Sequence, residues 1–269
     1  MQWHYFLSFF LCLGVYGFPS YLEGPVGKVV SARLSGKVND AVRSHDKRLS
    51  LGLASKPIKV TGEHEFIPPN FEKGDQRGPC PGLNALANHG YISRKGVTSL
   101  VEVAGAINQV YGMGVDLATI LATMGTVFVG NPLSLNPGFS IGSTASGAQN
   151  ILGNLIGLLG TPRGLNGSHN IIEGDSSNTR DDLYVTGDAS TMDMNLFQSL
   201  YDMASEEGTY DFDAFAKRAK IRFHETVATN PNFYYGPFTG MIARNAGYFF
   251  ACRLLSNHTV GSTEDIMGK

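Results

Sequence analysis

From Phe71 onward apolar residues recur at helical spacing, and the apolar–polar alternation of a half-buried strand is nearly absent. That feature confines the chain to a mainly α architecture with long loops. Ser99 and Glu102 form a capping box ahead of Leu100, Val101, Val103, Ala106, Ile107 and Val110, which predicts a helix start. Leu117 to Val129 is strongly apolar but short for a bilayer, so it reads as a core helix. Asp193 is placed to cap a helix carrying Leu196, Phe197, Leu200 and Tyr201. Asp211 opens another, whose Phe212, Phe215, Ala219, Phe223 and Val227 predict one buried face. Asn230-Pro231 ends it, because the residue before a proline disfavours helix. A last apolar helix is expected over Met241 to Leu255. Residues 131–168 are rich in Gly, Ser, Asn and Pro and read as loop, with a buried turn or two at Ile151 to Leu159. The best strand candidate is Leu183 to Val185.

At 269 residues, with 42% apolar and 16% charged side chains, the chain is globular and a single core is the default. Lys+Arg 21 against Asp+Glu 23 leaves a net charge of −2, which excludes the electrostatic footprint of a nucleic-acid binder. Residues 1–17 carry a short apolar run (Phe6, Leu7, Phe9, Phe10, Leu11, Leu13) followed by small residues. This predicts a cleaved signal peptide and a secreted protein with no stable membrane association. Asn166-Gly-Ser168 and Asn257-His-Thr259 match the N-glycosylation acceptor, as a secreted chain would allow. Residues 18–70 are mixed, with a basic patch at Arg43, Lys47 and Arg48 and a Pro68-Pro69 end. They read as an N-terminal extension, which leaves 71–269 as the folded domain.

Three cysteines cannot build a disulfide framework. Cys12 leaves with the signal segment, and Cys252, within Phe249-Phe250-Ala251-Cys252-Arg253-Leu254, reads as a small apolar core residue. A Cys80–Cys252 disulfide is the alternative for the two that remain. Cys80 lies in Arg77-Gly-Pro-Cys-Pro-Gly-Leu-Asn-Ala-Leu-Ala-Asn-His-Gly90, where Pro81 suits the first helical position and Gly90 the left-handed residue beyond the last turn. Cys80 is therefore expected at the N-cap of a short helix. The unpaired N–H groups and the positive end of the dipole favour a thiolate there. Three readings stay open at this point: a buried inert cysteine, a nucleophile with His89 or His169 as its base, and a soft metal ligand.

The run Gly78-Pro79-Cys80-Pro81-Gly82-Leu83-Asn84, followed by Ala87-Asn88-His89-Gly90, closely resembles the signature of the fungal haem-thiolate peroxidases, the chloroperoxidase and unspecific peroxygenase family. Two more segments follow in the same order. Glu173-Gly174-Asp175-Ser176-Ser177 with Thr179-Arg180 resembles that family's Glu-Gly-Asp motif, and Ala228-Thr229-Asn230-Pro231-Asn232-Phe233 resembles its Ala-Thr-Asn-Pro-Asn-Phe segment. The resemblance runs from about Pro68 to Leu255.

It implies the single-domain helical haem-thiolate peroxidase fold, with Cys80 as axial thiolate ligand of haem b. An anionic sulfur pushes electron density onto the iron and favours cleavage of a peroxide O–O bond. The resemblance also implies Mg2+ beside a haem propionate, held by Glu173, the Gly174 carbonyl and the Ser177 hydroxyl, which are hard oxygen donors. Hydrogen peroxide and a small organic substrate, such as an aromatic secondary metabolite, are the implied partners. That chemistry needs a distal acid–base group. Counted from Phe233, the arginine and glutamate positions usual in the family fall on Thr239 and Ala246, and no carboxylate occurs between Glu225 and Glu264. Arg244 and Asn245 lie two and one residues before the second position, and Arg244 is the residue expected to polarise a peroxide. The missing pair keeps a haem-binding relative with little catalysis in view. The chain ends on a helix start at Thr263-Glu264-Asp265 where family members usually continue, so the 71–269 domain is expected to be shortened.

Overall fold

Side-chain caps at Ser99 and Asp193 start two of the helices. The computed structural model describes residues 58–144, 161–207, 212–236 and 239–254; within the last three stretches the side chains of 204–207, 212, 241, 242, 249 and 252–254 are not among those described. The signal segment, the basic patch, Ile151 to Leu159, Asp211, Asn257, the C-terminal helix start and the Cys252 side chain all lie outside the described residues.

The architecture is mainly α, and the described residues fall into two compact units, 58–172 and 173–254. The first holds α1 (Pro81–Asn88), β1 (Val97–Ser99), α2 (Leu100–Tyr111), α3 (Val115–Val129) and β2 (Gly138–Ser140). The second holds α4 (Leu183–Thr186), α5 (Met194–Glu207), α6 (Phe212–Thr229), a π-helical turn over Thr239–Arg244, and α7 (Asn245–Leu254).

In the first unit the Ser99–Glu102 capping box forms with both reciprocal bonds, and Gly112 closes α2 in the left-handed conformation at φ 62°. α2 buries Val103, Ala106 and Ile107 against α3, at the i, i+3, i+4 spacing of one helix face. α3 is the expected core helix, but the face it buries is the small one: Ala118, Ala122, Gly125, Thr126 and Val129. Ile120, Val127 and Phe128 of the same helix are exposed. The small face allows close approach to β2, where the Phe139 ring is fully packed. β1 and β2 pair antiparallel in the register Val97↔Ser140, Thr98↔Phe139, Ser99↔Gly138. Sequence patterning gives no sign of this pair, since three-residue strands are too short to show alternation.

In the second unit Asp193 caps α5 as expected, accepting from Leu196 N at 2.8 Å. α6 ends at Thr229, just before Asn230-Pro231. Leu183–Val185, expected as a strand, is instead a single helical turn. Val185 N and Thr186 N both bond to the Asp182 carbonyl, and Gly187 at φ 81° ends the turn. The buried face of α6 also departs from expectation. Ala214, Phe215, Arg218, Ala219, Arg222 and Thr226 are buried, while Val227 is exposed. Two arginines enter this face because carboxylates from the 175–182 loop and from Glu225 meet them there. The last helix opens as a π-turn over Thr239–Arg244 before becoming α7.

The glycines of α2 and α3 make a paired test. A Cβ on Gly125 would stand 2.7 Å from the buried Phe139 ring, whereas one on Gly105 would meet nothing within 4 Å. Gly125→Ala is expected to destabilise by about 1–3 kcal/mol through overpacking. Gly105→Ala is expected to stabilise by about 1 kcal/mol through helix propensity. Urea midpoints of the two variants, moving in opposite directions, check this.

Candidate functional site

Cys80 is the N-cap of α1, with Pro81 at the first helical position, and its sulfur makes no capping bond to that helix. It is a free, half-buried thiol packed against the first unit's core, so no disulfide engages it. The loop carrying it is locked by one side chain. Asn84 Oδ1 accepts from Gly78 N at 3.0 Å, and Asn84 Nδ2 donates to Gly78 O at 2.9 Å. One turn on, Asn88 Oδ1 accepts from Arg77 Nε at 2.9 Å. Two amides at i and i+4 on one helix face therefore grip the chain on the approach to the sulfur. Gly78 itself must be glycine, because a Cβ there would run into the Ile141 carbonyl. Tyr111 closes the other side, donating to Gly82 O at 2.7 Å. Burial, reinforced by the neighbouring Cys80 sulfur, pushes the Tyr111 phenol well above its usual range.

The far end of α1 is strapped by residues 58–67. His64 Nδ1 bonds to the His89 carbonyl at 2.9 Å and His89 Nδ1 bonds to the His64 carbonyl at 2.8 Å. Carbonyls only accept, so both rings carry their proton on Nδ1. The His64 ring stacks on Tyr91 at 3.8 Å, and Ile67 N donates to the Asn88 carbonyl at 3.0 Å. Arg94 bonds the Glu63, Glu65 and Asn88 carbonyls. Gly90 adopts φ 67°, as its place beyond the helix predicts.

Glu173, Gly174, Ser177 and Arg244 all belong to the second unit, and the loop between them is built from buried polar contacts. Asn230 Nδ2 donates to Asp175 Oδ2 at 2.9 Å and to Asp182 Oδ2 at 3.3 Å, joining two motifs 55 residues apart in sequence. Arg222 donates through Nε to the Ser177 carbonyl at 2.8 Å, and it pairs with Glu225 and Asp182. Ser176 is fully buried with φ 69°, in the left-handed region that costs a non-glycine residue about 1–3 kcal/mol. Its N–H donates to Asp182 Oδ1 at 2.9 Å. Arg244 bonds the Ser176 hydroxyl at 3.1 Å and the Ala219 carbonyl at 2.6 Å, and its guanidinium lies over the Phe223 and Tyr248 rings. Thr239 is buried, packs against Gly174, and has a hydroxyl with no partner among the described residues.

The donors present suit the groups that the resemblance implies. Cys80 offers a free soft sulfur at a rigid helix N-terminus, the kind of donor that haem iron takes. Glu173, Gly174 and Ser177 offer a carboxylate, a carbonyl and a hydroxyl, the hard oxygens that magnesium takes. Among the described residues no three His, Cys, Asp or Glu side chains gather as a metal cluster, so a cation held at Glu173 would have to draw on neutral oxygens as well. The motifs named Asn84, Asn88 and Asn230 without showing what they do. The i, i+4 spacing of the first two, and Arg218, Arg222 and Glu225 along one face of α6, were the available signals.

Replacing Asn84 with Ala leaves both backbone groups of Gly78 without their partner. The expected loss is about 1–3 kcal/mol, with faster alkylation of Cys80, measured by denaturation and by peptide mapping after timed labelling. Tyr111 makes a pH prediction. Its folded pKa is raised, so the stability it contributes is complete below about pH 10, where the unfolded phenol ionises, and is lost as pH rises beyond that. Tyr111→Phe is expected to flatten the alkaline limb of stability against pH.

Residues 64–268 match the family described as Peroxidase, family 2. The aromatic peroxidase fscJ of Fusarium equiseti is 75% identical over 270 residues, covering 99% of this chain and 62% of that protein. The dothistromin biosynthesis peroxidase dotB of Dothistroma septosporum is 39% identical over 219 residues, covering 81% of this chain and 50% of that protein. An aromatic peroxygenase of Cyclocybe aegerita is 34% identical over 236 residues, covering 83% and 58%. The chain thus spans 50% to 62% of the length of these relatives. A match through most of the sequence, carrying the cysteine, Glu-Gly-Asp and Asn-Pro-Asn-Phe segments together, makes this chain a member of peroxidase family 2.

Proposed function

We propose that this chain is a secreted haem-thiolate peroxidase or peroxygenase that uses hydrogen peroxide to oxidise, oxygenate or halogenate an organic, aromatic substrate. The observation that carries the reading is the free Cys80 thiol at the N-cap of α1, held by the Asn84 clamp on Gly78. The printed names of the relatives, an aromatic peroxidase, an aromatic peroxygenase and a biosynthesis peroxidase, support an aromatic substrate from secondary metabolism. Cys80 would hold haem b through its thiolate, and the bound haem would supply the iron that activates the peroxide. Glu173, the Gly174 carbonyl and the Ser177 hydroxyl would hold Mg2+ through hard oxygen donors. The 1–17 segment supplies the export signal, 18–70 the extension and 71–269 the catalytic domain. No described helix is long and apolar enough to cross a membrane. Asn166, exposed in the turn over Leu165–Gly167, and Asn257 are the glycan acceptors.

A second reading, a haem-binding protein with little catalysis, is favoured by one observation. Thr239 and Ala246, the residues at the family's distal positions, are buried and bring no carboxylate, and Arg244 spends donors on Ser176 and Ala219. One experiment separates the readings. The protein is reconstituted with haem, reduced and exposed to carbon monoxide. The strongly red-shifted Soret band of a thiolate-ligated haem is expected, absent in Cys80→Ala and retained in Cys252→Ala. Equal loss of the band in both variants would sink the ligand assignment. Thiolate-bound haem without peroxide-dependent oxidation of an aromatic substrate would select the second reading.

A further inference from the structure

Three elements of the second unit converge on one buried residue. Ser176 has a left-handed backbone although it carries a side chain, and it lies within the Glu173–Ser177 run, between Gly174 and Ser177. Its carbonyl accepts from the Tyr248 hydroxyl of α7 at 2.9 Å and from Arg244 Nε of the π-turn at 3.4 Å. Its hydroxyl pairs with Arg244 Nη2 at 3.1 Å, and Arg244 is fixed in turn by the Ala219 carbonyl of α6 at 2.6 Å. The guanidinium sits over two rings, 5.1 Å from the Tyr248 centroid and 5.8 Å from that of Phe223. On the flanks, Asn230 holds Asp175 and Arg222 holds the Ser177 carbonyl. A backbone conformation that a serine ordinarily avoids persists where its surroundings over-determine it, and such places cluster at sites that need a fixed geometry. π-turns concentrate at functional sites as well.

We propose that Arg244 and Tyr248 are positioning residues for the Glu173–Gly174–Ser177 oxygen site, holding Ser176 left-handed so that the run keeps its cation-binding shape. This rests on the reading of those three residues as the Mg2+ ligands, and it gives Arg244 a role in the loop in place of a role on peroxide. The bonds run to main-chain and hydroxyl oxygens of Ser176, so the effect passes through one residue's φ. Glycine adopts positive φ without penalty and can replace the clamp.

The test uses haem-reconstituted protein and Mn2+ as the probe, with the free-ion electron paramagnetic resonance signal reporting binding. Wild type is expected to bind one Mn2+ that Mg2+ displaces. Tyr248→Phe, which removes a single hydroxyl, is expected to weaken binding by about threefold to tenfold. Ser176→Gly alone should bind at least as tightly as wild type, and Ser176→Gly in the Tyr248→Phe background should return to within about twofold of it. A purely structural role for Tyr248 would lower the melting temperature and leave Mn2+ affinity unchanged, which overturns the proposal while the ligand reading stands. Weakening that glycine fails to rescue also overturns it. Absence of Mn2+ binding in the wild type removes the ligand reading and the proposal with it.

Discussion

Buried charge is the constraint on which the second unit depends. Asp175, Asp182, Arg218 and Arg222 are all at most 5% exposed. A buried ion left unpaired costs several kcal/mol, so each must find its partner in one arrangement. Asp182 shows how tightly this binds the loop. It accepts from Ser176 N, Arg222 and Asn230, and its own carbonyl starts α4. Shifting the loop by one residue would strand several of these groups together. The path of 173–182 is therefore set largely by electrostatics; the apolar cluster among the described residues of this unit is Leu200 and Phe215 with Tyr248 and Ala251 against them.

The first unit relies more on neutral groups and on arginines that donate to neutral acceptors. Around Cys80 the grip comes from asparagine amides, glycines and one phenol, with the Arg77 guanidinium donating to Asn88. An amide donates and accepts at once, so Asn84 can satisfy both polar groups of Gly78. A carboxylate could do only half of that, and would set a negative charge close to the sulfur.

What the sequence reveals follows the range of the interaction. The capping box at Ser99, the Asp193 cap, the break at Asn230-Pro231 and the N-cap place of Cys80 are decided within a few residues, and all four appear where the sequence puts them. The β1–β2 pair joins residues about 40 apart, and each strand is too short for its own pattern to speak. The buried stripe of α6 departs from its sequence pattern, since Val227 looks like core and Arg222 like surface. Carboxylates on a distant loop, together with Glu225 on the same helix, reverse that. Leu183–Val185 shares the β-like composition of a strand, but Asp182 before it and Gly187 after it leave room for one turn alone. The same divide holds at the site. The motifs pointed to Cys80, Glu173, Gly174 and Ser177, while the roles of Asn84, Asn230 and Tyr248 emerge only from contacts made across the fold.

The reciprocal histidine bonds have a consequence for modularity. A helix of eight residues is too short to persist by itself in water. α1 is held at its front by Asn84 and at its back by His64, Ile67 and Arg94, on chain that lies outside the cysteine motif. The signature around Cys80 is thus no self-sufficient cassette. Transplanted into another scaffold without the upstream strand of main chain that His89 and Asn88 grip, it would carry the right letters and lose the shape they spell.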